Sequence, residues 1–176
     1  MQTAAIPGYR LAKAKQSTRI LTTLGLLALT LGILSALALT LTRTGVMPTD
    51  VGTYYLGKSY LEPSNQGGLD SMLEAGSRKS LQHLAEVTHL HLVGGSILLF
   101  MLCHLLSVCD LSEQTRIFWY VISFLSYLLT FIAPWLIVYA SSKFAYLFGP
   151  AVLLFILSLL VLIYLPLREM WGRAKS

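Results

Sequence analysis

Residues 83–109 read HLAEVTHLHLVGGSILLFMLCHLLSVC. This stretch holds all four histidines of the chain, His83, His89, His91 and His104, and both cysteines, Cys103 and Cys109. From Val87 to Cys109 it has no Asp, Glu, Lys or Arg. A helix of that length covers the roughly 30 Å hydrocarbon core of a bilayer at about 1.5 Å per residue. The histidine stretch therefore reads as a membrane span, and it sets the fold class for the rest of the chain.

Three more uncharged runs of similar length flank it, Ile20–Leu41, Ile117–Ala140 and Ala145–Leu167. Over 176 residues, 55% are hydrophobic and 12% charged, a balance no water-soluble globule needs. The expected architecture is an all-α integral membrane protein, a single domain over 1–176 built as a four-helix up-down bundle. The first run is too long for the apolar core of a secretory signal, and its Ala36–Ala38 small-residue pair lies inside the run, so it counts as a span. The net charge of +5 needs no nucleic-acid partner. Arg10, Lys13, Lys15 and Arg19 crowd one flank of the first span, and Arg168, Arg173 and Lys175 follow the last. This is the bias of cytoplasmic flanks, and it places both termini inside a bacterial inner (cytoplasmic) membrane, with basic residues near anionic headgroups.

The loop 42–85 then lies on the periplasmic side. It carries the breakers Gly45, Pro48, Pro63, Asn65, Gly67 and Gly68, with an amphipathic surface helix expected around Leu69, Met72 and Leu73. Tyr54, Tyr55 and Tyr60 suit the interface. Ser77 or Ser80 can cap the second helix. The short link Asp110–Arg116 makes the second and third spans antiparallel neighbours. Pro134 predicts a kink or unwinding in the third span.

Helical geometry at about 100° per residue sorts the histidine stretch into faces. His83, Glu86, His89 and His104 fall in one polar stripe, with Ser96 and Ser107 near His89. His91 sits apart, on the side of Leu98, Leu102 and Leu105. His89 and His104 are separated by roughly 22 Å along the axis and about 60° around it. Ionisable residues inside a span are costly, and by default they point to function.

The stretch resembles the ligand helices of transmembrane b-type cytochromes, in which two histidines thirteen to fifteen residues apart each ligate a haem and a nearby glycine gives the macrocycle room. The His-x-His followed by Gly94 and an apolar run is also similar to small four-span bacterial membrane proteins. The cytochrome resemblance implies haem b, with His104 and either His89 or His91 as axial ligands. It further implies a small electron-transfer subunit of a respiratory or photosynthetic complex. The chain departs from that pattern in one respect: no other span contains histidine. Either the second ligand comes from a second copy, from another membrane subunit or from a residue such as Met101 or Met170, or the iron is five-coordinate.

Three other readings compete. His83, Glu86 and His89 offer nitrogen and carboxylate ligands for copper or zinc. One histidine could hold a chlorophyll-type pigment. The imidazoles could instead bond to backbone carbonyls, or to Ser96 and Ser107, in a cofactor-free accessory or assembly subunit. The aromatic third span offers a quinone pocket only as the weaker alternative to lipid or core packing. Cys103 and Cys109 read as inert packing residues. Catalysis proper is not expected, because the chain shows no nucleophile–base pair.

Overall fold

The structure, a computed structural model, describes residues 11–57 and 78–172. The surface helix expected around Leu69, Met72 and Leu73 lies outside these residues, as do Arg10, Tyr60, Ser77, Arg173 and Lys175. The described residues are helical, with no strand. A 3-10 turn at Leu11–Lys13 leads into α1 (Gln16–Arg43), α2 (Pro48–Leu56), α3 (Leu81–Ser107), α4 (Glu113–Tyr139), a second 3-10 turn at Ser142–Phe144, and α5 (Ala145–Trp171). Four of these helices, α1, α3, α4 and α5 with its preceding turn, are long and apolar enough to cross a membrane.

Each helix outruns its uncharged stretch. The second helix, expected to begin at a serine cap ahead of the apolar run from Val87, starts at Leu81. Ser80 caps it, its hydroxyl accepting from the His83 amide at 3.2 Å, so backbone satisfaction rather than hydropathy fixes the start. Ser112 caps α4 in the same way through the Thr115 amide.

Prolines depart furthest from expectation. Pro48, read as a breaker, opens α2 inside the expected loop, because its fixed φ and missing N–H suit the first turn of a helix. Pro134 neither ends nor unwinds α4, which runs on to Tyr139. Pro150 and Pro166 lie near the start and end of the fourth span, as expected, although α5 runs on past Pro166 to Trp171.

Long-range bonds show the up-and-down course. At one end the Leu11 amide donates to the Val108 carbonyl, the Asp110 amide to Glu169, and Trp171 Nε1–H to the Thr23 hydroxyl at 3.0 Å. At the other end the Lys79 amide donates to the Tyr55 carbonyl, and Trp135 Nε1–H to the Thr88 hydroxyl at 2.9 Å.

The core lies mainly between α4 and α5. Small side chains let the two backbones approach: Ser123, Ser126 and Ala133 on α4, and Ala145, Ala151 and Ser158 on α5, are all buried. The three serines return their hydroxyls to carbonyls of their own helices, so none of these buried hydroxyls is left open. α3 adds Leu99, Leu102 and Leu106 to this core. Cys103 and Cys109 are buried free thiols in the same cluster. By contrast α1 buries only Leu26 and leans on α5.

Candidate functional site

α3 presents two chemically different sides. Its packed side carries Leu84, Leu99, Leu102, Cys103 and Leu106. Its opposite side is uncovered by any described part of the chain. There Leu90, Val93, Ile97, Phe100 and Met101 are exposed, with Glu86 and His89 toward one end and His104 toward the other. The His104 ring stacks on Phe100, with centroids 6.3 Å apart and planes at 19°. Nothing lies within 4 Å of where a Gly94 side chain would start, so that surface is open as well.

The histidines divide differently from the expected stripe. His89 and His104 share the uncovered side, while His83 joins His91 in lining a cavity of about 320 Å³. That cavity is half-open, with His83, Val87 and His91 still exposed at its mouth, and it is lined by the later half of α1, by α2, by the first turns of α3, and by Thr130, Phe131 and Pro134 on α4 and Phe148 and Phe155 on α5. His83 is regrouped because the stripe is wide: at its edge, a neighbouring helix rather than the helical angle decides which space a side chain enters.

Within the cavity the His91 ring is fixed from two directions. Its Nδ1 lies 2.7 Å from the Val87 carbonyl, and its ring sits 5.3 Å from that of Phe131. A carbonyl only accepts, so Nδ1 carries the proton and Nε2 keeps its lone pair in the neutral ring. The neighbouring backbone is fixed too: Tyr127 of α4 donates its hydroxyl to the His91 carbonyl. The tyrosine reaches it by passing over Gly95, where any Cβ would collide with the Tyr127 phenol. Gly95 is thus a helix-contact residue, whereas Gly94 touches nothing.

Thr88, one turn before His91, accepts from Trp135 Nε1 and so has its own O–H to give. Thr40 and Thr130, also in the cavity wall, direct their hydroxyls to carbonyls of their own helices. At the α2 end, burial and secondarily the neighbouring Tyr54 push the Tyr55 phenol well above its ordinary range, so it stays a neutral O–H.

The ligand set His83, Glu86 and His89 does not converge. Glu86 accepts instead from Gln82 at 2.9 Å. Among the described residues no three His, Cys, Asp or Glu side chains come close enough together to hold a metal ion. Nor does Ser107 serve an imidazole, since its hydroxyl goes to the His104 carbonyl at 2.6 Å. Sequence reasoning missed Thr88, Trp135 and the cavity. No local signal marks them, because the cavity forms only where five helices meet.

An all-helical chain with four apolar helices and a loosely attached first span is a multi-pass membrane helical domain. Residues 45–176 match the Aq_1264_TM family, described as a transmembrane helical domain, and the chain belongs to that family. No curated protein and no solved structure matches it.

Proposed function

We propose that the protein is a small membrane subunit of an electron-transfer complex in a bacterial inner membrane, presenting His89 and His104 as axial ligands to b-type haem shared with a partner. The supporting observation is the uncovered side of α3, which sets the imidazoles of His89 and His104 facing out of the bundle at either end of an apolar surface of Leu90, Val93, Ile97, Phe100 and Met101, with Glu86 beside His89. Imidazoles facing lipid are costly, so a partner surface or a ligand covers them.

His104 fits an axial role, with an open approach and a ring partner in Phe100. His89 is the second ligand rather than His91, because His89 shares the His104 side while His91 faces the cavity. A haem bound there supplies one-electron transfer; the chain supplies one ligand to each iron and the apolar wall around it. The remaining ligands come from a second copy or another membrane subunit, and a lipid-soluble quinone is the natural exchange partner.

One observation favours a cofactor-free accessory subunit instead: His91 already satisfies its ring through the Val87 carbonyl without any metal. The reduced-minus-oxidised visible spectrum of the protein purified in mild detergent with its native partners separates the two readings. The haem reading expects a b-type α-band, reduced by about half in His104→Ala and in His89→Ala and unchanged in His83→Ala. A flat difference spectrum, or one that neither variant alters, overturns it.

A further inference from the structure

The cavity between α1 and the other helices lies away from the uncovered side of α3, and its chemistry is specific. Most of its wall is apolar and much of it aromatic, with Phe131, Phe148, Phe155 and Tyr55 around a space of about 320 Å³. Pockets of roughly 300 Å³ and above hold small ligands, and a few placed polar groups set their orientation.

Two such groups stand one turn apart on α3. His91 presents an acceptor, because the Val87 carbonyl holds the proton on Nδ1 and leaves the Nε2 lone pair. Thr88 presents a donor, because its oxygen already accepts from Trp135. One acceptor at the open mouth beside one donor in a half-buried position, against an apolar and aromatic wall, matches the edge of a ring that bears a hydroxyl: the ring O–H donates to His91, and its oxygen accepts from Thr88. A fatty-acyl chain would use neither group, and a phosphate would place its charge on an acceptor. Entry is from the bilayer, since α1 leans on α5 and barely meets α3.

We infer that this cavity binds the head of a membrane-soluble hydroxyarene of the hydroquinone class, with His91 and Thr88 as the positioning pair. The inference extends the electron-transfer reading by naming the site of its exchange partner, and it rests on that reading only for the ligand's redox role. Binding itself requires no haem, so the two fail separately.

Trp135 provides the probe, because its indole bonds Thr88 at the cavity wall. In a Trp119→Phe, Trp171→Phe background, a short-tailed alkylhydroquinone is titrated into the protein in lipid nanodiscs and the Trp135 fluorescence is followed. The expected result is a saturable change whose apparent Kd weakens about tenfold in His91→Leu and severalfold in Thr88→Val, each the effect of one lost hydrogen bond. The di-O-methyl ether of the same compound, lacking the O–H, should bind about tenfold more weakly to the parent protein and no more weakly to His91→Leu than to it. His91→Gln, which retains an acceptor, guards against misfolding and should recover part of the affinity. A linear change without saturation overturns the proposal. So does saturable binding that is indifferent to His91 and to methylation, which would mark a nonspecific lipid cavity.

Discussion

Gly95 and Gly94 show how much turns on a single position in α3. Adjacent residues on a helix point about 100° apart, so only one of the pair can face α4. The chosen one is Gly95, over which Tyr127 reaches the His91 carbonyl. Gly95→Ala drives a methyl into the tyrosine ring and strains or breaks that bond. A loss of about 1–3 kcal/mol is expected, read as a lower unfolding temperature in detergent. Gly94→Ala, with open space above it, should leave that temperature unchanged. Equal losses at both positions would show that the helix is rotated from the face described. The pair was legible in the sequence as small residues inside a span, but not which glycine mattered. That choice depends on a tyrosine thirty-two residues away. The same limit applied to the histidines. The separation of His91 from His104 follows from helical angle alone, whereas the entry of His83 into the cavity depends on where α1 and α2 lie.

Among the helices, α1 stands apart. It buries only Leu26 and is tied at its start by the bond from Trp171 to Thr23. The family match begins at residue 45, just beyond its last turn. Gly45 makes that junction abrupt: its φ of +69° is favoured by glycine, and its amide closes the helix on the Thr40 carbonyl. Helices α2 to α5 should therefore form a bundle without α1. Residues 45–176 expressed alone are expected to keep their helix content and a cooperative thermal transition. The cost is about 2 kcal/mol for each of the two buried leucines lost, Leu11, whose amide also bonds the Val108 carbonyl, and Leu26. Circular dichroism in detergent checks this, and a non-cooperative melt would show that α1 belongs to the folding core. The same piece should lose hydroquinone binding, because α1 supplies one cavity wall through Ile33, Ala36, Leu37 and Thr40. The four spans were legible because hydropathy and length alone define them. α2 was not, since Pro48 reads as a breaker until the tertiary contacts of Val51 and Tyr55 hold the turn together.

At the scale of the molecule, charge orients the bundle. The end formed by the start of α1, the α3–α4 link and the close of α5 holds Lys13, Lys15, Arg19, Arg116 and Arg168, and the sequence adds Arg10, Arg173 and Lys175 on the flanks of these helices. The opposite end carries fewer cations, Arg43, Arg78, Lys79 and Lys143, to which the sequence between α2 and α3 adds Lys58 along with Glu62, Asp70 and Glu74. Orientation follows Lys and Arg near span ends rather than net charge, and by that measure the first end is expected to be the inner one. The two links that test it are Ser112, before α4, and Ser141, after it, which the twenty-seven-residue α4 holds at opposite ends of the bundle. In a background with Cys103 and Cys109 replaced by Ala, Ser141→Cys should react with a membrane-impermeant maleimide added to intact spheroplasts. Ser112→Cys should react only after the membrane is opened. The reverse pattern would invert the bundle and carry the cavity mouth to the cytoplasmic half. Labelling of both from outside would contradict a single crossing by α4. Under the expected result, His91 and Thr88 lie in the outer half of the bilayer and His104 in the inner half. A hydroquinone bound in the cavity and the His104 end of α3 would then stand on opposite sides of the membrane midplane, the arrangement that electron transfer across a bilayer requires.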